Sequence, residues 1–120
     1  MEEVKVNDQL THKDLFAAFK VQLAKDFQQS NFNADFVEAL EPNYGRIHKA
    51  ILQELQRSKK LADADLMQLL YRVDISEAQL KRYLDENPGE HHLSTIAELI
   101  IKRVLQKVVI RQYYKGESDT

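Results

Sequence analysis

The sequence predicts an all-α protein: a compact bundle of five or six helices packed around a long C-terminal helix. Three observations carry that prediction. Only three Gly and two Pro occur in 120 residues, too few for the tight turns that an all-β domain needs. The composition leans on Leu, Ala, Gln, Lys and Glu, which lose little freedom in a helix. Apolar residues also recur at spacings of three and four along most of the chain, the period of a half-buried helix.

The length suits one domain with one core, which the patterning places at 11–115. Residues 1–10 offer only Val4, Val6 and Leu10 as apolar anchors and are expected to form a flexible N-terminal arm. Residues 116–120 are expected to be a polar tail. Thr11 is placed to cap the first helix, where Leu15, Phe16, Phe19, Leu23 and Phe27 form one stripe. A short helix over 34–40 follows, capped by Asn33 and stopped before Pro42. Asn43 opens a helix carrying Tyr44, Ile47, Ile51 and Leu55, which Arg57-Ser58-Lys59-Lys60 closes with positive charge. Asp63 starts the next segment, whose apolar face is Leu66, Met67, Leu69, Leu70 and Val73. After a break at Asp74-Ile75, Ser76 and Gln79 have capping-box spacing. The helix they open buries Leu80, Tyr83 and Leu84.

The final helix starts between Pro88 and His92 and runs to about Tyr114. Leu93, Ala97, Ile100, Ile101, Val104, Leu105 and Val108 share its broad face. Leu99, Val109 and Ile110 extend the apolar arc beyond half the circumference, as in a helix central to a bundle or shared with a second chain.

Composition narrows the function classes. With 43% hydrophobic and 30% charged residues, the chain is neither membrane-like nor disordered in composition. It has no Cys, hence no disulfide, thiolate metal site or thiol nucleophile. A cytoplasmic setting is expected from that and from a start without a signal-like apolar run. A net charge of −2 offers nucleic acid no bulk attraction.

No recognisable catalytic unit emerges. His12 and His48 lie far apart in sequence, and the neighbours His91 and His92 point about 100° apart on a helix. HExxH and ExxH spacings are missing, as are a Gly-rich phosphate loop and a GxSxG turn. Asp63-Ala64-Asp65 lacks the glycine of a calcium loop. No cofactor or metal is expected, and the chain is not expected to be an enzyme.

Two segments carry functional expectations. Leu66 to Leu84 resembles a helix-turn-helix, with Gln79, Lys81 and Arg82 available to contact nucleic acid. It departs from that pattern at Asp74, where glycine is usual, and at Leu70, where a small residue is usual. Glu77, Asp85 and Glu86 would also repel phosphates. An ordinary corner between two helices explains the same residues. The other segment is the stripe Arg103, Lys107, Arg111 and Lys115, spaced every four residues along the last helix. It is either a solvated face or a strip for an acidic partner. Beside it Leu99, Ile110, Tyr113 and Tyr114 are candidates for apolar anchors.

The expected function is therefore a non-catalytic protein–protein interaction module, homodimeric through the C-terminal helix or bound to another protein. Leu99, Arg103, Lys107, Ile110, Arg111, Tyr113, Tyr114 and Lys115 are its candidate contacts. The alternative is a nucleic-acid-binding regulator using Gln79, Lys81, Arg82 and the basic stripe. No membrane partner is expected.

Overall fold

A computed structural model describes the backbone of residues 2–57, 63–86 and 91–118, and the side chains of 6–57, 64–86 and 91–113. Among these residues the chain is all-α and strand-free. Its helices are α1 (Glu2–Leu10), α2 (Lys13–Gln28), α3 (Tyr44–Arg57), α4 (Asp63–Arg72), α5 (Glu77–Glu86) and α6 (His92–Ser118), with a 3-10 turn at Asp35–Ala39 between α2 and α3. No helix among the described residues is long and apolar enough to cross a membrane.

The first departure from expectation is α1. The segment expected as a flexible arm is a helix, with Val6 and Leu10 buried in the core. Its three apolar residues are too few to advertise a helix alone, and tertiary contact supplies the rest. Asn7 Oδ1 accepts the Tyr44 backbone N–H at 2.8 Å, satisfying a donor at the open start of α3. Thr11 does not cap α2. Its hydroxyl turns back to the Asp8 carbonyl at 2.7 Å, and His12 occupies the cap position without a side-chain bond.

The other caps follow from chemistry legible in the chain. Asn33 Oδ1 accepts the Asp35 N–H at 2.8 Å, Asn43 Oδ1 the Arg46 N–H at 3.0 Å, and Ser76 Oγ the Gln79 N–H at 3.1 Å. The described part of α6 opens at His92, with the His91 ring Nδ1 accepting the Leu93 N–H at 3.2 Å. Just beyond both α2 and α4 lies a residue with left-handed backbone, Asn31 at φ 66° and Asp74 at φ 71°. In each the next residue folds its N–H back five positions, Phe32 to the Phe27 carbonyl at 3.0 Å and Ile75 to the Leu70 carbonyl at 2.9 Å. This ending satisfies carbonyls that a helix terminus leaves open.

The helix α6 spans 27 residues, about 40 Å at 1.5 Å per residue. It continues through Gly116, where a polar tail was expected. It packs mainly on α3 and α2, and less extensively on α5. The core gathers Phe19, Leu23 and Phe27 from α2, Ile47 and Ile51 from α3, Leu69 and Val73 from α4, and Ile100, Ile101, Val104 and Leu105 from α6. Phe27 meets the edges of Phe32 and Phe36, with ring centroids 5.6 and 5.4 Å away, a favourable aromatic arrangement.

Candidate contact surface

Three of the four basic residues of the α6 stripe, Arg103, Lys107 and Arg111, are engaged within the chain. Arg103 reaches the turn between α4 and α5, its Nε donating to the Asp74 carbonyl at 3.3 Å and a terminal nitrogen lying 3.5 Å from the Asp74 carboxylate. Lys107 Nζ donates to the Arg72 carbonyl at 3.1 Å and sits 3.6 Å from Asp26 Oδ2. Arg111 donates to Gln22 Oε1 at 3.1 Å. Leu99 is only 5% exposed. Four of the expected contact residues are thus committed within the chain. Four-residue spacing reports a shared helix face, and cannot say whether water or α2 lies opposite. Ile110 and Tyr113 remain outward at 44% and 63% exposure. Tyr114 and Lys115 lie on α6, with side chains outside the described residues.

Asp26, on α2, is 3% exposed and faces Lys107 of that stripe. Gln22 Nε2 donates to its Oδ1 at 3.0 Å, while Oδ2 has no hydrogen-bond partner. Burial pushes its carboxyl above the ordinary value of 3.8, against the opposing pull of Lys107 and the Gln22 bond. The pair joins α2 to α6.

At the turn between α4 and α5, Asp74 takes the left-handed conformation that glycine usually supplies. Its three candidate nucleic-acid contacts do not form one surface. Gln79 and Arg82 line a cleft of about 370 Å³ facing α6, shared with Leu99 and Arg103, whereas Lys81 lines a groove on the α4 side. Two of the cleft's polar groups, Tyr83 and Lys102, are engaged with Glu98. Tyr83 donates its hydroxyl to Glu98 Oε1 at 2.7 Å and accepts from Lys102 Nζ at 2.8 Å. Lys102 also meets Glu98 Oε1 at 2.8 Å. Burial, the largest influence, raises the Tyr83 phenol, so it stays protonated at neutral pH. Burial also pushes Glu98 up, but the Lys102 and Tyr83 hydrogen bonds, the Lys102 charge and nearby His48 hold it below its ordinary value. His48 Nε2 lies 2.9 Å from the Ser94 carbonyl, which can only accept, so this nitrogen carries the hydrogen. These groups suit fastening α3, α5 and α6 together.

The groove on the α4 side is different in kind. Met67, Leu80 and Leu84 line it with Glu77, Lys81, Asp85 and His92, enclosing about 580 Å³. A smaller depression of about 170 Å³ adjoins it, lined by Met67, Leu70, Tyr71, Ile75 and Leu80. Met67, expected on the buried face of α4, is 42% exposed, and Tyr71 is 77% exposed one turn further on. None of α5's residues is fully buried. The sequence signal for this surface is slight: Met67 and Tyr71 share one face of α4, beside the Leu69-Leu70-Val73 face that reaches the core. A larger depression of about 800 Å³ runs along α2 and the 3-10 turn, lined by Ala17, Val21 and Ala24. Lys20 already bridges it, donating to the Glu38 carbonyl at 3.0 Å.

Among the described residues no three His, Asp or Glu side chains converge as metal ligands. The chain has no significant match among protein-family models, curated proteins or solved structures.

Proposed function

We propose that this chain is a non-catalytic helical module that works through protein–protein contact, with the α4–α5 groove as its contact face. One observation carries the proposal: Met67, Leu80 and Leu84 in the groove, with Tyr71 in the depression adjoining it, leave apolar surface open on a helix pair whose second member has no buried residue. Contiguous open apolar surface with a polar rim is characteristic of interaction sites, and a groove between helices suits an amphipathic partner helix. The pairing of Glu98, Lys102 and Tyr83 with one another supports the non-catalytic part. A cysteine-free chain suits a reducing compartment, and we place it in the cytoplasm.

The experiment is site-specific photo-crosslinking in the native host. A photoreactive phenylalanine replaces Tyr71 in the full chain, and Lys49, exposed on α3, serves as the control position. A protein adduct at position 71 and none at 49 is expected. A nuclease-sensitive adduct, or equal yields at the two positions, overturns the proposal. Duplex-DNA titrations at two salt concentrations provide the second arm. Affinity that falls steeply with salt would establish the nucleic-acid alternative instead.

A further inference from the structure

We infer that the partner is a second copy of this chain, docked groove to groove with the two α5 helices antiparallel across a two-fold axis. This rests on the α4–α5 groove being the contact face. The deciding feature is the charge pattern on the rim. Glu77, Lys81 and Asp85 are exposed, spaced every four residues, and line the groove with Leu80 and Leu84. They form a stripe of alternating sign beside the apolar pair, and none of the three has a hydrogen-bond or ion-pair partner among the described residues.

A two-fold axis brings the same flank of each antiparallel helix against its own copy. A negative–positive–negative stripe then has two kinds of register. With Lys81 at the axis, Lys81 faces Lys81 and Glu77 faces Asp85, so every meeting is repulsive. Shifted by two residues either way, each Lys81 faces a carboxylate, Glu77 in one direction and Asp85 in the other. The stripe is thus self-complementary in staggered registers, and like-charge repulsion excludes the centred one. Antiparallel pairing also brings Leu80 and Leu84 of the two copies to one seam, flanked by Met67 and Tyr71. Met, flexible and polarizable, adapts to such a seam. A reciprocal contact of one patch on itself closes at two copies and leaves no open end for a fibre.

Light scattering after gel filtration of the full chain tests this. The wild type is expected to move from 14.0 kDa toward twice that mass across micromolar concentrations. Lys81→Glu makes the stripe wholly negative, and the double variant Glu77→Lys, Asp85→Lys makes it wholly positive. Each alone should weaken self-association at least tenfold. Mixed, they should restore a dimer at least as tight as the wild type, because every register is then attractive. Far-ultraviolet circular dichroism of each variant verifies that the helices are retained. A wild type that stays at 14.0 kDa overturns the inference, as does a dimer indifferent to all three substitutions. If the wild type is monomeric while position 71 still cross-links a different protein, the second copy is refuted and the contact face stands. If position 71 cross-links nothing and the wild type is monomeric, both fall.

Discussion

The α2–α6 seam and the α4–α5 unit use similar residues to opposite ends. Where α2 meets α6, Phe19, Leu23, Phe27, Ile100, Ile101 and Val104 have zero exposure, and polar side chains bridge the seam, Lys107 to Asp26 and Arg111 to Gln22. In the α4–α5 unit, α4 reaches the core through Leu69, Leu70 and Val73, while α5 buries nothing fully and leaves its charges unspent. Charge on a helix therefore does not by itself mark an open face. What separates the regions is whether a neighbouring helix lies close enough to use it.

The sharpest way to break the comparison is to truncate one large side chain on each side. Phe27→Ala should lower unfolding free energy by about 3–5 kcal/mol, since it empties a fully packed site. Leu84→Ala, on the half-buried helix, should cost only about 1 kcal/mol. Urea denaturation of the two variants measures both, and equal losses would erase the distinction drawn here.

Next in size is Lys107→Met, which leaves the Asp26 charge buried without its cation. A loss of about 3 kcal/mol at pH 7 is expected. The deficit should shrink on acidification, because a protonated Asp26 no longer needs a counter-charge. The wild type carries the same sign in milder form. Its Asp26 is raised in the fold, so the fold binds that proton more tightly than the unfolded chain does. The resulting stabilisation is fully present below the ordinary value of 3.8 and is lost as pH rises through the folded value. Asp26→Asn should remove that pH dependence while staying within about 1 kcal/mol of wild type at pH 7, as read from melts between pH 4 and 7.

Smaller again is Tyr83→Phe, which deletes the hydroxyl between Glu98 and Lys102. A cost of about 1 kcal/mol is expected, with faster amide exchange confined to α5 as the telling readout. Smallest is Asp74→Gly. Glycine tolerates the left-handed backbone without strain, and the ion pair lost to Arg103 is long and its carboxylate exposed. A change within about 0.5 kcal/mol is expected. Asp74→Ala, which strains the same backbone, should cost about 1 kcal/mol by the same measurement.

Much of the bundle is legible in the sequence. The stripes of α2 and α3, the caps at Asn33, Asn43 and Ser76, and the centrality of α6 follow from local spacing and hydrogen-bond chemistry. The misses share one cause. α1 is invisible in three scattered apolar residues because its helix is secured by Val6, Leu10 and Asn7 reaching distant parts of the chain. Thr11 has good cap chemistry but spends its hydroxyl on Asp8. Arg103, Lys107 and Arg111 read as a surface strip because spacing along one helix is silent about the helix across from it. The open α4–α5 groove is obscured for the same reason. Met67 belongs to the apolar period of α4, and only the placement of α5 decides that it stays open.

The helix that closes the core is also the one furthest along the chain. Gln112 bonds the Asp14 carbonyl across 98 positions, and Arg111 bonds Gln22 across 89. At a ribosomal pace of roughly 5–20 residues per second, the partners of those early residues emerge about 5–20 s after them, whereas a helix forms in about a microsecond. The side of α2 that meets α6 therefore waits seconds during synthesis for the helix that completes its packing.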